Sequence, residues 1–289
     1  MTADAKKIIA FQGALGAYSD LACRTTRPEM DTLPCRSFED TFAAVREGQA
    51  ALAMIPIENS IAGRVADIHS LMPNSGLHII GEHFQRVEHH LLAVKGARIE
   101  DITHVHSHIH ALNQCRHLIS ELGIEPVVCT DTAGSAQEIA ARGDKTKAVI
   151  ASELAGEING LVSLKANIED SGHNTTRFLI MSREPVVPHP KAGPCLTTFI
   201  FRVRNVPAAL FKAMGGFATN GVNMTKLESY MAGQQFVAAQ FYADIEGHPE
   251  HRNVRLAMEE LAFFTREVNI LGTYPAHPYR LQNGVDDED

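Results

Sequence analysis

Four short runs of this 289-residue chain gather polar side chains that could act on a small anion. In Asn174-Thr175-Thr176-Arg177-Phe178, a guanidinium follows two hydroxyls at the head of a β-branched, apolar stretch ending at Met181. A planar guanidinium fork matches the two oxygens of a carboxylate, and a hydroxyl beside it can give or take a proton. The plain alternative is a solvent-facing arginine on a strand. Pro56-Ile57-Glu58-Asn59-Ser60 ends a second apolar run in carboxylate, amide and hydroxyl. Such groups at the carboxyl edge of a sheet are where open α/β folds bind ligands, although Asn and Ser are also ordinary turn residues. Gly13-Ala14-Leu15-Gly16 could present backbone amides to an anion at a helix start, or simply make a turn. It lacks the glycine spacing of the dinucleotide fingerprint. Asp131-Thr132-Ala133-Gly134-Ser135 reads as a helix start whose hydroxyls cap the helix or face a ligand.

Other chemistries fit less well. His104, His106 and His108 alternate along one strand-like run, with His110 just beyond, so three imidazoles share a face. Side chains on one strand diverge, however, and neither Asp nor Cys completes a zinc set there. Cleft-lining or surface histidines are the favoured reading, as they are for His83, His89 and His90. No Gly-x-Ser-x-Gly elbow or reactive-cysteine signature marks a nucleophile.

Strands and helices alternate through the first 180 residues. Strands are expected at 7–12, 51–57, 91–94, 103–107, 125–129 and 147–151, with helices at 20–25, 38–47, 111–122, 132–142 and up to 158. Ser19 and Ser37 are the expected N-caps of the first two helices. That alternation predicts an α/β fold with largely parallel sheets. Between 184 and 195, Pro185, Pro188, Pro190, Gly193 and Pro194 mark a linker. Beyond it the pattern predicts strand 196–203, helix 208–220, strand 223–231, strand 235–245, helix 249–265 and strand 267–274. This is the βαββαβ order of a ferredoxin-like module.

Net charge is −8, and Asp286-Asp287-Glu288-Asp289 forms an acidic tail. A nucleic-acid partner would need a basic footprint instead. An anionic substrate must therefore be drawn by particular cations and amides. Cysteines 23, 35, 115, 129 and 195 form no Cys-x-x-Cys pair and suit reduced thiols in a cytoplasm. No apolar run reaches the roughly 20 residues of a membrane span, and the first residues lack signal-peptide features.

Taken in order, the runs Gly13 to Ser19, Pro56 to Ser60, Ser107 to Cys115 and Asn174 to Phe178 resemble the sequence blocks of the prephenate dehydratase family. The stretch Asn220 to Ser229 resembles an ACT regulatory domain. The resemblance implies a catalytic domain over 1–183 with two lobes like a type II periplasmic binding protein, lobe 1 at about 1–82 and 163–183 and lobe 2 at about 83–162. It implies linker 184–195, an ACT domain over 196–280 and tail 281–289. The implied reaction converts prephenate to phenylpyruvate with loss of carbon dioxide and hydroxide, using no cofactor and no metal.

By the same resemblance Thr176 is the general acid and Arg177 holds a substrate carboxylate. Asn59, Ser60, Ser107, Gln114, Thr132 and Phe178 complete the substrate site. Neighbouring strand residues point to opposite faces, so Thr176 and Arg177 are expected at a strand start or a crossover between lobes. The effector site for phenylalanine would use Ala208, Ala209, Leu210, Asn223, Leu227, Glu228 and Ser229. Here Ala208 stands where relatives commonly have glycine, and Tyr230-Met231 where they have Arg-Pro, so the effector response is open to change. Ile109-His110 likewise replaces the family's Pro-Gln. ACT domains pair, which implies a homodimer or homotetramer. Two other readings stay open: arogenate dehydratase, and a non-catalytic amino-acid-sensing binding protein.

Overall fold

A computed structural model describes residues 7–204, 206–231 and 238–283, which fall into two compact units. Unit 1 comprises Met1–Val65 and Phe84–Phe178; unit 2 comprises Ala66–His83 and Leu179–Asp289.

The chain opens with β1 (Ile8–Gln12), α1 (Tyr18–Thr26), β2 (Asp31–Cys35), α2 (Phe38–Arg46), β3 (Leu52–Asn59) and the short β4 (Gly63–Arg64). Next come α3 (Ala66–Leu71) and β5 (His78–Arg86). A second set follows: β6 (His90–Ala93), β7 (His104–His108), α4 (Ile109–Gln114), α5 (Arg116–Leu122), β8 (Glu125–Cys129), α6 (Thr132–Arg142), β9 (Lys147–Ala151), α7 (Glu153–Asn159) and β10 (Val162–Lys165). The chain then enters β11 (Thr175–Ser182).

Two sheets result, with the same internal order. The first runs β2-β1-β3-β11-β5, with β4 on β3; the second runs β8-β7-β9-β6-β10. In each, the first strand of the set lies between the second and the third, and pairs with both in parallel. The fourth position is taken by a strand that arrives from the other set. In the second sheet this strand, β6, is antiparallel to β9. This doubled order is the two-lobed, type II binding-protein-like α/β fold. Central strands such as β1 and β9 are apolar on both faces because helices cover both sides.

Two crossovers link the sets, one after β5 and one before β11, and they bond to each other. The Val87 amide donates to the Asn174 carbonyl at 2.8 Å, and the Ile168 amide to the His89 carbonyl at 3.0 Å. Farther round, the turn after β1 meets the start of α7. The Ser152 hydroxyl donates to the Gly16 carbonyl at 2.5 Å, and Gly16 adopts φ +89°. A methyl group at 16 would stand 2.7 Å from the Ala155 Cα, so this junction admits only glycine.

Some expectations change in detail. The helix expected over 111–122 breaks at Cys115, because Asp170 accepts from the Arg116 and His117 amides at 3.0 and 3.2 Å and caps a new start. Ser37 caps α2 as expected, with its side chain accepting from the Asp40 amide. Ser19, by contrast, lies inside α1, whose N-cap is Ala17. The strands β2, β5 and β10 carry short or mixed patterns that sequence periodicity does not resolve.

Unit 2 contains β12 (Cys195–Val203), α8 (Ala209–Thr219), β13 (Met224–Met231), β14 (Ala238–Glu246), α9 (Arg252–Phe264), β15 (Thr265–Pro275) and α10 (Pro278–Asn283). The expected βαββαβ order is present as an antiparallel sheet, β13-β14-β12-β15. Phe199, Phe201, Ala213, Phe217, Ala257 and Leu261 form its core under α8 and α9. Glu82, whose side chain is fully buried, receives Arg280 Nε at 2.7 Å and Nη2 at 3.0 Å, which ties α10 to β5. The start expected at Gln235 and the acidic tail from Asp286 lie outside the described residues.

Gly16→Ala should destabilise unit 1 by about 2–4 kcal/mol, through left-handed strain plus the clash with α7. Urea unfolding followed by circular dichroism measures it.

Candidate active site

Asn59 ends β3, and its amide has one allowed orientation. Oδ1 accepts from the Ile61 and Ala62 backbone amides at 3.0 and 2.8 Å. Nδ2 must then supply both of its protons elsewhere. It donates to Asn174 Oδ1 at 2.8 Å and to Thr176 Oγ1 at 2.9 Å. Direction propagates from there. With Oδ1 of Asn174 accepting, its Nδ2 donates to Gln114 Oε1 at 2.9 Å, and that same oxygen lies 2.8 Å from His89 Nε2. An amide oxygen offers no proton, so Nε2 of His89 carries one.

At the far end, the single proton of the Tyr18 hydroxyl faces two acceptors, the Glu88 carbonyl at 2.6 Å and His89 Nδ1 at 3.0 Å. The His89 amide is held by Glu169 Oε2 at 2.9 Å. Burial, the largest cause, keeps the His89 imidazole below its ordinary pKa of 6.5, so the ring is neutral near pH 7. Burial, reinforced by Glu169, pushes the Tyr18 phenol well above its ordinary 10.0.

The consequence falls on Thr176. Its oxygen already accepts from Asn59, and among the described residues its own proton has no acceptor. A hydroxyl so arranged is a donor by default. The incoming N–H also stabilises negative charge on the oxygen if the proton departs.

Thr176 is the second residue of β11 and Arg177 the third, so the two side chains take opposite faces. Asn59 and Glu58 divide in the same way. Arg177, 2% exposed, donates from Nη1 to Glu58 Oε1 at 2.9 Å. Ser60 closes the corner: its hydroxyl donates to the His173 carbonyl at 2.9 Å and accepts from the Thr175 amide at 3.0 Å.

Asn59, Gln114 and Thr176 are thus joined through Asn174, with Ser60 beside them. Ser107 is fully buried, its hydroxyl donating to the Ile150 carbonyl at 2.6 Å. Thr132 is the first residue of α6, and Phe178 is buried within β11. Asn174 and Tyr18 sit inside the sequence runs singled out above, yet neither is among the expected site residues. His89 is also missed, since its place beside His90 draws attention only as a metal ligand. The glycine turn is not an anion cradle, because the Gly16 amide donates to the buried Asp20 Oδ2 at 2.8 Å.

In unit 2, Ala208 precedes α8 with φ +61°, a left-handed conformation that glycine adopts freely. Ala209 and Leu210 pack in the same core as Met224. Asn223, Leu227 and Ser229 are exposed, and Glu228 Oε1 receives Lys226 Nζ at 3.3 Å.

The fold is that of a two-lobed α/β protein, with a directional polar corner that ends on the Thr176 hydroxyl. The profile of the family named prephenate dehydratase matches residues 9–186. A bifunctional N-acyl-homoserine lactone acylase/prephenate dehydratase of Komagataeibacter europaeus is 54% identical over 95% of this chain and 98% of its own. Arogenate dehydratase/prephenate dehydratase 2 of Arabidopsis thaliana is 36% identical over 92% of this chain and 72% of its own. Among solved structures, GqqA, described as a novel type of quorum-quenching acylase, superposes with a TM-score of 0.90 at 55% identity, over 94% of this chain and 99% of that one. The prephenate dehydratase of Arthrobacter aurescens, in complex with L-Phe, gives 0.84 at 28% identity, over 93% and 90%. The chain belongs to the prephenate dehydratase family, and is a carbon–oxygen lyase. Among the described residues, no helix is long and apolar enough to cross a membrane.

Two outcomes follow from this geometry. Asn174→Ala removes a buried acceptor and donor at once, and should cost about 1–3 kcal/mol in urea unfolding. A histidine with its folded pKa below 6.5 binds fewer protons folded than unfolded. Its contribution to stability is therefore complete above pH 6.5 and declines as pH falls below it. His89→Gln should flatten that acid limb in thermal melts taken from pH 7.5 to 5.

Proposed function

We propose that the chain is a prephenate dehydratase, converting prephenate to phenylpyruvate on the way to L-phenylalanine. The observation that carries this reading is the N–H of Asn59 on Thr176 Oγ1, which leaves the hydroxyl proton to be given away. In the reaction, the Thr176 proton meets the ring hydroxyl as its C–O bond breaks, and water leaves. The ring carboxylate's C–C bond electrons move into the ring, which becomes aromatic, and carbon dioxide departs. Asn59 steadies the threonine oxygen until solvent returns its proton. Positioned proton transfer contributes about 10²–10⁴-fold.

Arg177, on the face of β11 opposite to Thr176, supports the site by pairing with Glu58 and holding the end of β3, and does not reach the ligand that Thr176 meets. Ser60, Ser107, Gln114, Thr132 and Phe178 shape the remainder of the site. We assign catalysis to 1–183, with the lobes bounded as the sequence suggests, and an ACT-type effector module to 196–280 beyond a linker at 184–195. The module would bind phenylalanine around Ala208–Leu210 and Asn223–Ser229, and pair copies into a homodimer or homotetramer in the cytoplasm. The L-Phe complex of the Arthrobacter relative supports this. No cofactor is called for, since aromatisation drives the reaction.

A second activity is favoured by the Komagataeibacter relative's name and by an apolar cavity of about 380 Å³ in unit 1. Ala14, Leu15, Pro34, Ala133 and Ile158 give it an apolar wall suited to an acyl chain, with Arg36, Gln137 and Asn159 as its polar lining. Release of free homoserine lactone from an N-acyl derivative would establish it.

Purified protein should turn over prephenate, with arogenate assayed in parallel to fix the substrate. Thr176→Ala should lower kcat by about 10²–10⁴-fold while substrate still binds, and Thr176→Ser should retain most of it. Turnover undiminished in Thr176→Ala would dismiss the assignment. Phenylalanine added to the assay should reduce the rate; an unchanged rate removes the effector reading alone.

A further inference from the structure

Gln114 Oε1 accepts from two side-chain donors, Asn174 Nδ2 at 2.9 Å and His89 Nε2 at 2.8 Å. Rotating the Gln114 amide by half a turn would set its NH₂ against that of Asn174. Asn174 would then have to turn and oppose the NH₂ of Asn59, which its two backbone amides hold fixed. The alternative His89 tautomer, protonated on Nδ1 only, would favour just that rotation, because its bare Nε2 needs a donor.

We propose that His89 is a positioning residue for the dehydration, its Nε2–H proton locking the amide chain that aims the Thr176 hydroxyl. The inference rests on the reading of Thr176 as the proton donor. His89 touches no reacting atom. It acts through Gln114, Asn174 and Asn59, each buried or half-buried and each with one permitted direction. The members come from separate parts of unit 1. Asn59 and Thr176 belong to the first sheet, Gln114 to α4, and His89 and Asn174 to the two crossovers. No single element holds the chain straight, so it is fixed from its two ends, by the Ile61 and Ala62 amides on Asn59 and by His89 on Gln114.

The distinguishing pair of variants is His89→Leu, similar in size without a donor, and His89→Gln, whose amide N–H reaches toward the place of Nε2. Removing one such hydrogen bond should lower kcat for prephenate by about ten-fold, with KM within about three-fold. His89→Gln should recover kcat to within about three-fold of the parent. Thr176→Ala is measured alongside. If His89→Leu keeps the parent kcat while Thr176→Ala loses it, His89 has no positioning role. If Thr176→Ala keeps it, the proton-donor reading fails first. Should His89→Leu not fold, ¹⁵N imidazole spectra of the parent protein at pH 7.5 decide. A protonated Nε2 with a bare Nδ1 supports the proposal, and a protonated Nδ1 overturns it.

Discussion

Two backbone amides, those of Ile61 and Ala62, determine the direction of every hydrogen bond in the polar corner. They have no alternative role as acceptors, so the Asn59 carbonyl must face them. Everything after that is forced: Asn59 gives, Asn174 takes and gives, Gln114 takes twice. A threonine hydroxyl, intrinsically a feeble acid, becomes a donor because its oxygen is already occupied. Such directional chains are costly to leave half satisfied in a buried setting, which is why Asn59, Asn174 and Gln114 each have a partner on both sides.

Fold and site share a single cause in unit 1. The doubled strand order brings the end of β3, the start of β11 and both crossovers to one corner. The crossovers bond to each other through Val87, Asn174, Ile168 and His89. Two of the residues that make those backbone bonds, His89 and Asn174, also carry the relay on their side chains. The crossovers and the polar corner are therefore built from the same residues.

Much of this was readable in the sequence. Apolar runs between turn residues gave the α/β alternation and the βαββαβ module, and Asn59, Gln114 and Thr176 stood in recognisable runs. What stayed hidden depends on distant partners. Asp170 breaks the helix at Cys115 from 55 positions away, and Asp20 fills a glycine turn that looked open to an anion. His89 is legible only once the Asn59 amide has been oriented, a fact that belongs to three dimensions. No local pattern reveals the left-handed angle of Ala208.

Two of the three places where the chain passes between the compact units lie inside strands: β5 after His83 and β11 after Phe178. Extended chain in a sheet is stiff along its length, unlike a flexible tether. Glu82, gripped by Arg280, lies on the first of these strands, and Leu179 is three residues after Thr176 on the second. Thr176 thus shares one continuous extended segment with the buried Leu179, Ile180 and Met181, and its backbone cannot shift without theirs.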